Sequence, residues 1–177
     1  MSIGIKVRLI LIVKKCIKNV KIKSWVKDII VFVLSFFLFM TIAHFIRFPE
    51  VDGNSMYPTY NSGDRLVVLY TKNVKNNDIA VLWNDQVNEY IVKRVIGVAG
   101  DHIEIKNGQL YRNEQPIYES YIKEHSWAEI MNSVDVMVPD GYIYVLGDNR
   151  NESADSRLLG LLETDDIFGR VITYIKK

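Results

Sequence analysis

At 177 residues the chain has room for one modest domain and an appendage. Its single cysteine, Cys16, excludes an internal disulfide and leaves the larger part without a thiol nucleophile. The net charge of +1 hides an asymmetry: eight basic residues from Lys6 to Lys27 against Asp28 give the N-terminal tail +7 and leave −6 for the remainder. Such a tail suits anionic lipid, and nothing in the larger part suggests a nucleic-acid surface.

Within the tail, Ile3–Val13 is apolar but broken by Lys6 and Arg8, too short to cross a bilayer. It reads either as an amphipathic helix on the membrane surface or as a disordered basic arm. Ile29–Ile46 carries no charge, glycine or proline. As a helix it would rise about 27 Å, close to the roughly 30 Å of a hydrocarbon core. A single transmembrane helix is therefore expected over 29–46, between a basic tail at 1–28 and a catalytic domain at 47–177. The basic flank predicts a cytoplasmic N-terminus and an extracytoplasmic domain. A cleavable leader fits poorly, since the run is too long and no Ala-x-Ala site follows it.

Beyond Arg47 the pattern changes to short strands, at Arg65–Tyr70, Ile79–Trp83, Tyr90–Val98, His102–Lys106, Gln109–Arg112, Tyr142–Leu146 and Phe168–Ile175. Asn107-Gly108 supplies the positive φ values of a type I′ hairpin, and Pro139-Asp140-Gly141 marks another turn. The expected fold is mainly β, with antiparallel sheets packed or coiled on each other.

Gly53-Asn54-Ser55-Met56-Tyr57-Pro58-Thr59 places a serine between a permissive glycine and a rigid proline. A serine hydroxyl becomes a nucleophile only with a base beside it. The histidines His44, His102 and His125 are scattered, which argues against a metal site but leaves a Ser-His-Asp triad open on spacing alone. The other candidate base is Lys93. Strand alternation puts it between Ile91 and Val95, with Val92 and Arg94 on the opposite face. If that face is inner, desolvation lowers the lysine pKa; if the strand is an edge, the ammonium reaches water. A third polar stretch, Gly147-Asp148-Asn149-Arg150 through Ser153-Ala154-Asp155-Ser156-Arg157, follows a strand and is built to hold a rigid loop.

These stretches, with Gly63-Asp64, Gly97, Gly100-Asp101 and the preceding apolar run, occur in an order that closely resembles bacterial type I signal peptidase in its short, Gram-positive-like form. The resemblance spans residues 29 to 175. It implies a Ser-Lys dyad serine protease on a largely β fold, with Ser55 as nucleophile and Lys93 as general base. It further implies that Ser153 hydrogen-bonds the lysine and that Asp155–Arg157 and Arg94–Asp148 brace the site. The Ser55 N–H is the implied oxyanion donor. Gly53, Asn54, Met56, Ile91 and Val92 become oxyanion or substrate contacts, and an apolar rim is implied near Phe45, Phe48 and Val51. The substrates implied are signal peptides of secreted preproteins, cut after small residues at the lipid bilayer, with no metal or other cofactor and no nucleic acid. A non-catalytic or pilin-dedicated assembly factor of the same fold, or a self-processing protein, are the alternatives. Two departures are local: Gly53 stands where some members carry an oxyanion-supporting serine, and Ala99 replaces a frequent proline. The chain also lacks the large inserted β-domain of longer members.

Overall fold

The computed structural model describes residues 23–122 and 133–177. Ile3–Val13 and His125 lie outside the described residues. The chain divides into two compact units, residues 1–43 and 44–177. The helix α1 runs Ser24–Phe45, five residues earlier than the apolar run alone suggested, and buries none of its side chains. Its 22 residues rise about 33 Å, long and apolar enough to cross a membrane. Ser35 and Thr41 satisfy their hydroxyls on the carbonyls of Phe32 and Phe37, within the same helix.

The second unit is built from two antiparallel sheets. The strands are β1 (Ile46–Arg47), β2 (Arg65–Leu69), β3 (Ile79–Asn84), β4 (Glu89–Gly97), β5 (His102–Lys106), β6 (Gln109–Arg112), β7 (Gln115–Pro116), β8 (Val134–Met137), β9 (Tyr142–Leu146), β10 (Leu162–Glu163) and β11 (Ile167–Ile175). A short helix α2 spans Ser156–Leu159 and a 3₁₀ turn Thr164–Asp166. The larger sheet has the order β1-β2-β11-β3-β4-β9-β10, and the smaller β7-β6-β5-β8. Register shifts interrupt β11 against both its neighbours and β4 against β9, which coils the larger sheet. The Asn107-Gly108 hairpin forms as expected, with φ of 50° and 73° closing Lys106 onto Gln109.

β3 and β9 read as nearly continuous apolar runs because both their faces are covered. On β3, Ala80 and Leu82 join Ile91, Val95, Ile143, Val145 and Ile167 in one core cluster. Ile79 and Val81 enter another with Val51, Met56, Tyr60, Leu66 and Val68. On β9, Tyr144 and Leu146 turn away from the first cluster to pack on Ile96 and on Ile103, Ile105 and Leu110 of the smaller sheet. The centre of β4 thus lies where three cores meet.

Candidate active site

Ser55 sits in a run of turns, with the Tyr57 N–H donating to the Asn54 carbonyl and the Tyr60 N–H to the Met56 carbonyl. Met56, 1 % exposed, and Tyr60 pin that run into the core, so the serine immediately before Met56 has little freedom. Gly53 enters the turn with φ of +85°, a conformation that suits glycine.

Lys93 lies on β4 just before the stretch that pairs with β9, so β3 alone flanks it in the sheet, yet its burial overturns the reading in which an edge position lets the ammonium reach water. Ala80 stands opposite it on β3. Its side chain is 4 % exposed, and Nζ lies 2.8 Å from Ser55 Oγ. Burial pushes its pKa down to about 8; Asp155 and Glu89 oppose that shift, and Arg157 adds to it. A neutral amine accepts the hydrogen bond from the serine hydroxyl, the geometry that a proton transfer requires.

Around this pair lie three ion pairs. Arg94 holds Asp148 through Nε–Oδ1 at 2.8 Å and Nη2–Oδ2 at 2.6 Å. Thr59 donates to the same carboxylate, and the Arg94 guanidinium lies 3.9 Å over the Tyr121 ring. Asp155 receives Arg157 Nε and Nη2 at 2.8 and 2.9 Å and also accepts the Gly147 N–H. Both pairs expected from the sequence are therefore formed. The third pair, Arg150 with Glu119, is buried and two-pronged, and nothing in the sequence pointed to it. Its partners are 31 positions apart, and Glu119 lies in no recognisable pattern.

The expected Ser153–Lys93 bond is not made. Ser153 Oγ is buried without a hydrogen-bond partner. Its side chain is packed so closely on Gly147 that a Cβ there would stand 2.2 Å from Ser153 Oγ and 2.5 Å from the Ser55 carbonyl oxygen. Val51, expected at an apolar rim, is instead a core residue, whereas Phe45 and Phe48 are exposed.

A groove of about 470 Å³ passes the dyad, lined by Gly53, Asn54, Ser55, Met56, Ile91, Val92 and Lys93 among others. The edges of one extended segment and one strand open onto it. The Val51 N–H and C=O both bond toward Asp64 and Gly63, and the Pro49 C=O bonds to Leu66, which turns the main chain of Glu50 and Asp52 toward the groove. On the other wall, β4 pairs with β9 only from Arg94 onward, so its Glu89–Lys93 stretch has β3 on one side only. An extended peptide could add between these edges by backbone hydrogen bonds.

The fold also gathers His102, Glu104 and Asp135, although their spacing in sequence is unlike a metal site. His102 Nε2 is 2.7 Å from Asp135 Oδ1, and Lys106 pairs with Glu104, so the group is a strip of charge pairs on the smaller sheet.

The profile of the family described as "Signal peptidase, peptidase S26" matches residues 22–175. The chain is 38 % identical over 166 residues to signal peptidase I S of Bacillus subtilis (strain 168), covering 86 % of this chain and 88 % of that one. It is 39 % identical over 170 residues to a signal peptidase I of Bacillus amyloliquefaciens, covering 86 % of each. A crystal structure of a signal peptidase I from Enterococcus faecalis V583 aligns with 57 % of this chain and 97 % of its own, at 26 % identity and a TM-score of 0.49. On the extent and identity of the sequence matches, the chain belongs to the S26 signal peptidase family.

Proposed function

We propose that this chain is a membrane-anchored serine endopeptidase that removes signal peptides from exported proteins, with Ser55 as nucleophile and Lys93 as general base. The observation that carries the reading is the 2.8 Å contact between Ser55 Oγ and an amine that is nearly dry and shifted toward neutrality. In acylation, Ser55 Oγ attacks the scissile carbonyl and its proton passes to Lys93 Nζ. The tetrahedral intermediate collapses, the C–N bond breaks, and the leaving amine takes that proton. Water then adds to the acyl-enzyme, again giving its proton to Lys93; the ester C–O bond breaks, Ser55 Oγ takes that proton back, and the acid product leaves. The Ser55 N–H serves the oxyanion. Small residues before the cut fit because Met56, Val51 and Val81 fill the floor of the groove from below.

The chain divides by role into a basic tail at 1–28, an anchor at 29–46 and a catalytic β unit at 47–177. The +7 tail keeps the N-terminus cytoplasmic and puts the catalytic unit on the outer face. Purified full-length protein in detergent should cut a signal-peptide substrate, and Ser55→Ala and Lys93→Ala should each abolish the cut while the protein stays folded by circular dichroism. Normal turnover by the lysine variant would remove the dyad.

A further inference from the structure

A second cleft, of about 440 Å³, adjoins the groove: Asn54 and Glu152 line both. The two differ in chemistry. The groove begins at Pro49, Val81 and Tyr90, which also border an apolar hollow with Phe48 and Phe168. That end suits the apolar segment of a signal peptide. The adjoining cleft is walled by carboxamides, Asn54, Asn61, Asn149 and Asn151, with Tyr57 beside them. A chain that enters at the apolar end and passes Ser55 is delivered there.

Among the described residues three charged groups line this cleft, and two are neutralised in place. Asp148 is taken by Arg94, and Arg150 by Glu119. Glu152 is exposed and accepts a hydrogen bond from Asn149 Nδ2 at 3.2 Å; among the described residues it forms no ion pair. Asn149 is itself fixed, its Nδ2 also donating to the Asn54 carbonyl at 3.1 Å and its N–H to the Ser55 carbonyl at 3.0 Å. The carboxylate is therefore held at the junction by an amide tied to the nucleophile's own backbone.

We infer that this cleft receives the first residues of the mature protein, and that Glu152 makes the enzyme favour cationic over anionic side chains just after the cut. The inference rests on the signal-peptidase reading above and adds a specificity residue to it. Its physical basis is plain. Among the described residues, the one charge in the cleft without a countercharge is negative, and the leaving amine, once free, is a cationic α-amino group at neutral pH.

The test uses full-length protein in detergent micelles and three peptides that share one signal segment and carry Lys, Gln or Glu at the second position after the cut. The wild type should prefer Lys over Glu in kcat/KM by about fivefold, the scale of one exposed ion pair. Glu152→Gln should bring that ratio near one, Glu152→Lys should reverse it, and Glu152→Asp should retain the preference. Glu50→Gln, which removes a carboxylate from the groove before Ser55, should also retain it. An unchanged ratio in Glu152→Gln overturns the inference, as does its loss in Glu50→Gln. A wild type that cuts none of the peptides overturns the signal-peptidase reading itself, a distinct result.

Discussion

The Asn149 N–H donates to the Ser55 carbonyl across 3.0 Å, so the loop after β9 holds Ser55 by its main chain. Gly147 makes that approach possible, because any Cβ there would collide with both Ser153 and the Ser55 carbonyl. Gly147→Ala should push the loop off the serine. We expect a fall in kcat of roughly a hundredfold, from a misplacement on the order of an ångström, with a stability loss of about 1–3 kcal/mol from overpacking. Single-turnover cleavage and urea unfolding separate the two effects.

The rate should rise with pH. Lys93 must be neutral to accept a proton, and its pKa is near 8, so kcat/KM should climb through that value and level off above it. Glu89 favours the ammonium form, so Glu89→Gln lowers the lysine pKa further. Its limb should move to lower pH, and a shift to higher pH would contradict the assignment.

The same burial costs stability. With a folded pKa near 8 against 10.5 for the free side chain, Lys93 is protonated more readily in the unfolded chain. The penalty is therefore full below about pH 8, shrinks as pH rises, and is gone above about 10.5. Lys93→Met should abolish cleavage yet stabilise the protein at pH 7 by about 2 kcal/mol, with the gain fading in alkali. Denaturant titrations at pH 7 and pH 10 provide the comparison.

The buried Arg150–Glu119 pair should behave as a unit. Glu119→Gln removes the buried carboxylate that Arg150 Nη1 and Nη2 share and should cost about 3 kcal/mol, whereas the double variant with Arg150→Met should recover much of that loss. A double-mutant cycle in urea reads the coupling directly.

Alternation around Lys93 placed the lysine on one face with Ile91 and Val95, and all three are buried, because strand geometry repeats every two residues whatever the fold. The Asn-Gly hairpin was legible for the same local reason. Strand β8 escaped notice because Asp135 stands in its middle and its pairing comes from β5, far away in sequence. The two-residue strands β1, β7 and β10 carry no period at all. The Glu119–Arg150 pair exists only once the chain has closed. Ser153 shows a different limit: its position in the motif was readable, but where its hydroxyl points depends on how closely Gly147 packs against it.

The parting of β4 from β9 at Arg94 leaves a slot flanked by main chain on both walls. Whatever lies in such a slot must be fully stretched, since neither a coil turn nor a compact domain presents its own amides sideways at strand spacing. Processing would then be tied to timing: the stretch around the cut must arrive before the passenger protein has collapsed onto it. A passenger that folds quickly, right up to its first residue, would keep its leader.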